Sequence, residues 1–285
     1  MSTPNYKMKK KLVYHIWCPT SELTDEQRFI FNLHFQLLKY YSNIFDDVQI
    51  NVACDDLEFP LINKIRHKIL DIFNRADQNV YIKTVQNTQL REGKTCYEEV
   101  FAPGSEYDGI VFFGHTKGLT NVLNINIFDS IKYWVCALYW FSLNFMDECE
   151  HYMNNTEAFY GSLLNKYEDR TLWMYSGSFY WTNIHNVKYR LSYTSSNTIK
   201  SLSALSRSYA ELIPSILFPE FTTACSKCHN TVYSLVTNDY DPYVNSLINI
   251  KNACYLHNDD YKNFIKFADA MYDYVKTNKD DINLF

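Results

Sequence analysis

Four apolar, β-prone segments alternate with amphipathic helical segments over the first 121 residues, and this alternation limits the possible folds more than any other feature of the sequence. The four segments lie at Leu12–Trp17, Val48–Cys54, Val80–Thr84 and Gly109–Phe113. Strands separated by helices favour parallel pairing, because a parallel pair needs a long crossover connection. The sequence therefore predicts an α/β fold with a mostly parallel sheet flanked by helices.

Two of the connecting helices carry their own start signals. Thr24 and Gln27 have the spacing of a capping box, and apolar residues at helical intervals follow them as far as Ile44. Pro60 favours the start of the next helix, whose isoleucines lie on one face. A third, shorter helix is expected at about 95–101.

The second half of the chain has less regular signals. We expect an aromatic helix at 125–150, a polar loop or short helix at 154–169, a strand at 172–181 that bends at a glycine, a helix at 201–217 and a terminal helix at 255–276. These elements predict one domain at 1–220, divided into halves at 1–121 and 122–220. A C-terminal helical extension follows at 221–285.

Charge and hydropathy argue against several classes of protein. The formal charge of −5 disfavours nucleic-acid binding, which needs a basic surface that neutralises phosphates. The most apolar stretch, Tyr133–Met146, is shorter than the roughly 20 residues of a membrane-spanning helix. The apolar run after Lys11 is too short for a signal peptide. We therefore expect a cytoplasmic protein with reduced thiols and no transmembrane segment.

One cluster among the eight cysteines has a familiar spacing. Cys225, Cys228 and His229 match the attachment pattern of c-type haem, which requires export from the cytoplasm. A zinc site would need a second pair of ligands, and only the isolated Cys254 and His257 follow. We expect neither cofactor, and the role of this cluster stays open.

The loop after the fourth predicted strand is the first candidate site, because open α/β sheets bind ligands beyond the carboxyl ends of their strands. It offers His115, Thr116 and Lys117 between Gly114 and Gly118. The glycines let backbone approach a ligand closely, so this loop could hold a diphosphate. An ordinary polar turn with a solvated lysine is the alternative.

The loop after the third predicted strand reaches the same edge of the sheet. It carries Arg91 and Glu92, which either face a ligand or belong to a charged surface. Glu98 and Glu99 follow on the short helix, where solvent exposure is the expected state.

A glycine break with hydroxyl groups lies within the aromatic segment WMYSGSFYW at 173–181. Ser176, Gly177, Ser178 and Tyr180 could present hydroxyls and an aromatic face to a sugar. The alternative is a core strand whose rings pack against a helix.

An acid and a base lie four residues apart in the predicted helix at 201–217. Arg207 and Glu211 either form a plain salt bridge or place Glu211 as a general base that Arg207 orients.

These motifs together resemble a known family. The N-terminal strand, DGIVFFGHTKGLTN at 108–121, WMYSGSFYW at 173–181 and RSYAEL at 207–212 resemble GT-A-like glycosyltransferases of surface-polysaccharide gene clusters and some large viruses. The His-Thr-Lys-Gly segment is also similar to rhamnan-synthesis glycosyltransferases. The resemblance covers about residues 12–217.

The resemblance implies a Rossmann-related GT-A fold whose first half binds a nucleotide-sugar donor and whose second half binds a glycan or lipid-linked glycan acceptor. Most GT-A enzymes hold a divalent metal with Asp-x-Asp at the end of the fourth strand, where this chain has His115, Thr116 and Lys117. We therefore expect no required metal, with His115 and Lys117 facing the donor diphosphate. Glu211 matches the acidic residue that deprotonates the acceptor in inverting relatives.

Two other functions remain open at the level of sequence. A non-catalytic glycan-binding or assembly protein could keep the fold without the Asp-x-Asp motif. A Rossmann-type dehydrogenase would need Gly-x-Gly-x-x-Gly after the first strand, where Trp17, Cys18, Pro19 and Thr20 stand instead.

Overall fold

The computed structural model describes residues 8–88, 91–101, 109–116, 119, 128–154, 159–162, 164–166, 173–175, 177–191, 210–211, 213–217, 224–225 and 258–278. The strands are β1 (Lys9–Cys18), β2 (Asp47–Cys54), β3 (Asn79–Gln86), β4 (Gly109–His115), β5 (Phe159–Gly161), β6 (Leu164–Lys166), β7 (Trp173–Tyr175), β8 (Tyr180–Asn183) and β9 (Ala224–Cys225). The helices are α1 (Asp25–Tyr41), α2 (Leu61–Ile72), α3 (Arg91–Cys96), α4 (Phe128–Leu143), α5 (Met146–Asn154), α6 (Ile184–Leu191), α7 (Ile213–Leu217) and α8 (Asn258–Thr277). A 3-10 turn, Ser42–Ile44, follows α1, and a π-helical turn, Tyr97–Phe101, follows α3.

Within the described residues, seven strands form one sheet in the order β3-β2-β1-β4-β8-β5-β9, and β6 pairs with β7 separately. The four strands β1 to β4 are mutually parallel, with β1 between β2 and β4. Strand β8 runs antiparallel to both β4 and β5. The predicted α/β fold, with a mostly parallel sheet flanked by helices and a C-terminal helix, is confirmed.

Alternate residues of β1, β4, β5 and β8 pack into two separate cores, because successive side chains of a strand point to opposite faces. On one face, Leu12 and Tyr14 pack with residues of α1, α2, α4 and α8. On the other face, Val13 and Phe113 pack with residues of α3, α6 and α7. Helices therefore cover both faces of the sheet, which leaves its edges and strand ends for ligands.

The predicted start of α1 is confirmed. The backbone N–H of Gln27 donates to Thr24 Oγ1 over 3.2 Å, and the Thr24 N–H donates to Gln27 Oε1 over 3.1 Å. This capping box satisfies backbone donors that the first helical turn leaves free. Gln27 Nε2 also donates to the carbonyl of Leu119 over 3.1 Å, so the cap connects α1 to the chain beyond β4.

The single helix expected at 125–150 is wrong, because the chain turns between α4 and α5 at Asn144 and Phe145. The Asn144 N–H still donates to the Trp140 carbonyl, and the first bond of α5 runs from the Cys149 N–H to the Phe145 carbonyl. The Phe145 ring lies 6.4 Å from that of Phe141, nearly parallel to it.

Several boundaries in the second half also differ from the prediction. The polar segment at 154–169, predicted as a loop or short helix, contains β5 and β6. The strand at 172–181 breaks fully at its glycine, so that β7 pairs with β6 whereas β8 enters the main sheet. In the helix expected at 201–217, residues 210–211 form a turn and only α7 is helical, while 201–209 lie outside the described residues.

The C-terminal helix α8 packs against α1 and α4 and contributes to the larger core. Phe264 is fully buried, with its ring 5.4 Å from Phe141 and 6.4 Å from Trp140. Among the helices that the structure describes, none combines the length and apolar character needed to cross a bilayer.

Candidate functional site

Four segments meet at the carboxyl edge of the parallel strands. His115 ends β4, and the antiparallel pairing of β4 with β8 brings the turn at Gly177 and Ser178 beside it. Helix α3 follows β3 and so begins at the same edge, with Glu92 in its first turn. The fourth segment is the turn that carries Glu211. We refer to the side chains of Glu92, His115 and Glu211, together with the backbone of Gly177, as the edge cluster.

The imidazole of His115 is held from both sides. Its Nε2 lies 2.9 Å from the carbonyl oxygen of Gly177, and its Nδ1 lies 3.4 Å from Glu92 Oε2. The exposed fractions of the two side chains are only 2% for His115 and 7% for Glu92. Both ring nitrogens therefore face protein groups, and the ring does not point a free nitrogen at a ligand in this conformation.

The turn between β7 and β8 has an unusual backbone. Gly177 has φ of 89° and Ser178 has φ of 58°, so both lie in the left-handed region. A Cβ atom on Gly177 would come within 2.9 Å of Leu138 Cδ2, so both the backbone and the packing require glycine. Ser178 is fully buried and its Oγ donates to Glu92 Oε1 over 3.4 Å. A non-glycine residue in this region needs surrounding contacts to hold it.

The Glu211 carboxylate is anchored by that turn. The backbone N–H of Gly177 donates to Glu211 Oε1 over 2.9 Å. Glu211 is half-buried and sits in a turn with Ala210, whereas Arg207, its predicted partner, lies outside the described residues. Glu211 and His115 therefore both contact Gly177, a proximity that the sequence spacing does not reveal.

Thr116 connects the ends of two neighbouring strands. Its Oγ1 accepts from the Trp17 N–H over 3.0 Å, and its N–H donates to the His15 carbonyl over 3.1 Å. The His15 side chain in turn contacts Thr95 of α3, with Nδ1 3.2 Å from Oγ1. The hydroxyl of Thr116 is thus used in holding β1 and β4 together at the site edge.

Arg91 begins α3 instead of lying in the preceding loop as predicted. Its guanidinium pairs with Glu98 at 3.3 Å, and Lys94 reaches the same carboxylate at 3.5 Å. Glu99 also has partners, since its Oε1 is 3.5 Å from Lys83 Nζ. These acids are therefore paired across or along the helix instead of being simply solvated.

Tyr180 lies in the core of the second sheet face. Its hydroxyl donates to the Ala210 carbonyl over 3.3 Å and lies 3.1 Å from Cys96 Sγ. Burial raises the pKa of the Tyr180 phenol and of the Cys96 thiol above their usual ranges. The ring is fully buried, so it offers no face to a sugar in this conformation.

Several predicted residues lie outside the described part of the chain. These are Lys117, Gly118, Ser176, Arg207, Cys228 and His229. In the part that is described, no group of three or more His, Cys, Asp and Glu side chains is arranged to hold a metal ion.

Sequence reasoning missed two buried polar contacts. One is the contact between His15 and Thr95 at the site edge. The other is a fully buried group in which the Tyr14 hydroxyl lies 2.9 Å from His34 Nδ1 and 2.7 Å from the Tyr139 hydroxyl. A histidine inside an otherwise apolar strand or helix was the available signal, because buried polar groups need partners.

Comparisons with known proteins give no family. No family model matches the chain, and no curated protein matches it in sequence. One similar solved structure is 4-diphosphocytidyl-2C-methyl-D-erythritol synthase from Anaerococcus prevotii, with 8% identity, a TM-score of 0.37, and coverage of 84% of this chain and 96% of that one. A second structure of a synthase of that name has 10% identity, a TM-score of 0.32, and coverage of 70% and 84%. What this chain does therefore has to follow from its own residues.

Proposed function

We propose that this protein is a glycosyltransferase that moves a sugar from a nucleotide-diphosphate sugar to a hydroxyl of a glycan acceptor. One observation carries the proposal: the edge cluster gathers a carboxylate, a buried His–Glu pair and a left-handed turn beyond the carboxyl ends of parallel strands. That edge is where open α/β sheets bind nucleotides and related ligands. The motif resemblance to GT-A-like glycosyltransferases supports the same assignment.

In the proposed reaction, Glu211 acts as general base. Its carboxylate accepts the proton of the acceptor hydroxyl while that oxygen bonds to the anomeric carbon of the donor sugar. The bond from the anomeric carbon to the diphosphate oxygen breaks, and the nucleoside diphosphate leaves with the electron pair. Direct displacement of this kind inverts the anomeric carbon. The Gly177 N–H bond to Glu211 Oε1 orients the carboxylate.

The first test is a thermal-shift screen against nucleotides, nucleotide sugars and glycans. A ligand present at a hundredfold its dissociation constant stabilises the folded state by about 2.7 kcal/mol. We expect stabilisation by one nucleotide diphosphate and by its sugar conjugates, followed by release of that nucleotide on incubation with an acceptor. Stabilisation by glycans alone, with no effect of any nucleotide, would contradict the proposal and support the non-catalytic glycan-binding alternative.

We further propose that transfer requires no divalent metal. The position of the usual Asp-x-Asp motif holds His115 and Thr116, and both of these side chains already bond to protein groups. Mg²⁺ and Mn²⁺ prefer hard oxygen ligands, which a protonated Lys117 cannot supply. The ammonium group of Lys117 would instead stabilise charge on the leaving diphosphate.

The metal proposal is tested by comparing transfer with and without EDTA in the wild-type protein and in Lys117→Ala. We expect activity that resists EDTA and falls strongly in Lys117→Ala. The exposed Lys64 on α2 provides the control variant Lys64→Ala. Loss of wild-type activity in EDTA, with rescue by Mn²⁺, would show that Glu92, His115 or another group holds a metal after all.

A further inference from the structure

The edge cluster forms a continuous chain of contacts that ends at the proposed general base. Glu92 contacts His115, His115 contacts the carbonyl of Gly177, and the N–H of Gly177 contacts Glu211. The two contacts of Gly177 involve the two peptide groups on either side of its Cα atom. Together they fix the φ and ψ angles of that residue.

The partners of His115 restrict where its protons lie. A carbonyl oxygen can only accept a hydrogen bond, so Nε2 must carry a proton toward Gly177. The Nδ1 atom faces Glu92, which cannot donate when ionised. An ionised Glu92 therefore pairs with Nδ1 only as an acceptor, across the 3.4 Å that separates Nδ1 from Oε2. The Ser178 hydroxyl donates to the other oxygen of Glu92 over 3.4 Å.

The buried His115–Glu92 pair lies where it can hold a strained turn. Its contacts act on two consecutive left-handed residues, which need surrounding contacts to hold them. Glu92 holds Ser178 directly and holds Gly177 through His115. If either contact is lost, the turn can relax and the Gly177 N–H no longer fixes the Glu211 carboxylate.

We propose that Glu92 and His115 are positioning residues that hold the Gly177–Ser178 turn and thereby orient Glu211, and that they do not bind the donor diphosphate. This inference rests on the proposed transferase function, whose general base is Glu211. It predicts that substitution of His115 changes the rate of turnover and not the affinity for the donor.

Two substitutions of His115 separate its two contacts. In His115→Gln the side-chain amide nitrogen can take the place of Nε2 and still donate to the Gly177 carbonyl. In His115→Asn the amide nitrogen takes the place of Nδ1, faces Glu92 and cannot reach Gly177. The exposed His67 on α2 gives the matched control His67→Asn.

We expect kcat to fall by about a hundredfold in His115→Asn, the scale on which misplaced catalytic groups act, with the KM for the donor nearly unchanged. We expect His115→Gln to recover most of this loss. Residues that act as one unit show non-additive effects, so His115→Asn should cause little further loss in a Glu211→Gln background. A rise in donor KM in both variants with kcat preserved, or fully additive losses with Glu211→Gln, would overturn the proposal.

Amide hydrogen exchange measures the turn independently of activity. We expect faster exchange in the peptide that contains Gly177 and Ser178 in His115→Asn, and wild-type exchange there in His115→Gln and His67→Asn. Unchanged exchange in folded His115→Asn would show that Glu92 and His115 do not hold the turn. If no donor supports transfer, the proposed function fails, and the exchange result still decides whether Glu92 and His115 hold the turn.

Discussion

The Glu211 carboxylate accepts a hydrogen bond from a backbone amide, and this contact suggests a direct test of its chemistry. The Gly177 N–H donates to Oε1, so a glutamine at this position can keep the same hydrogen bond through its amide oxygen. Substitution by glutamine therefore removes basicity without removing the anchor. Any effect on turnover then reports the proton transfer and not the position of the side chain.

We predict that Glu211→Gln lowers turnover by at least about a hundredfold, which is the contribution of a general base, with donor affinity nearly unchanged. Steady-state kinetics and a donor-binding titration measure the two quantities. The exposed Glu58 gives the control Glu58→Gln, which should behave as the wild type. Near-normal turnover of Glu211→Gln on the true acceptor would leave Glu211 with a structural role only.

Helix α1 shows how a local signal acts at the scale of an element. Thr24 and Gln27 exchange hydrogen bonds at its first turn, and Asp25 and Glu26 lie there as well. Acidic residues at this end interact favourably with the helix dipole. Gln27 extends the effect beyond the helix because its side chain also donates to Leu119. The cap therefore links the start of α1 to the segment that follows the site edge.

Thr24→Ala should lower the free energy of unfolding by about 1 kcal/mol, the typical loss for an N-cap. Thr24→Ser keeps the hydroxyl and should retain most of the stability. Urea denaturation measures both variants, and an unchanged m-value would show that the denatured state is not altered. Equal stability of Thr24→Ala and the wild type would mean that solvent replaces the cap without loss.

At the scale of the whole molecule, α8 belongs to the main core although it lies far along the chain. Its buried residues join the cluster that contains β1, α1 and α4. Lys132 of α4 lies 3.8 Å from the ring centre of Tyr272, and Tyr133 donates to Asp269 over 2.6 Å. Apolar and polar contacts thus both fasten the helix to α4.

Phe264→Ala should destabilise the protein by about 3–5 kcal/mol, as for other large aromatic truncations in a core. The same unfolding transition should report this loss by circular dichroism and by near-ultraviolet signals from the sheet region. Lys266→Ala, at an exposed position of the same helix, should stay within about 0.5 kcal/mol of the wild type. A separate, early transition of α8 alone would contradict the shared core.

The sequence by itself determined the elements whose signals are local. Strands β1 to β4 are long enough to show apolar runs or alternation, and α1 and α8 have helical periodicity, so each could be placed without tertiary information. Strands β5 and β6 have three residues each, and no periodicity can appear over that length. The break between α4 and α5 has no glycine or proline to mark it in the sequence.

Only the tertiary structure decided which candidate residues meet. Glu92 lies near His115 because the parallel strands end at one edge and α3 contacts β1, the neighbour of β4 in the sheet. The contact between His115 and Gly177 arises because β8 enters the sheet antiparallel to β4. Burial of Tyr180 depends on which face of β8 meets the second core. Sequence spacing records neighbours along the chain, whereas these contacts depend on how distant segments pair. The sequence could therefore indicate candidate hydroxyl, carboxylate and imidazole groups, but it could not show which of them meet.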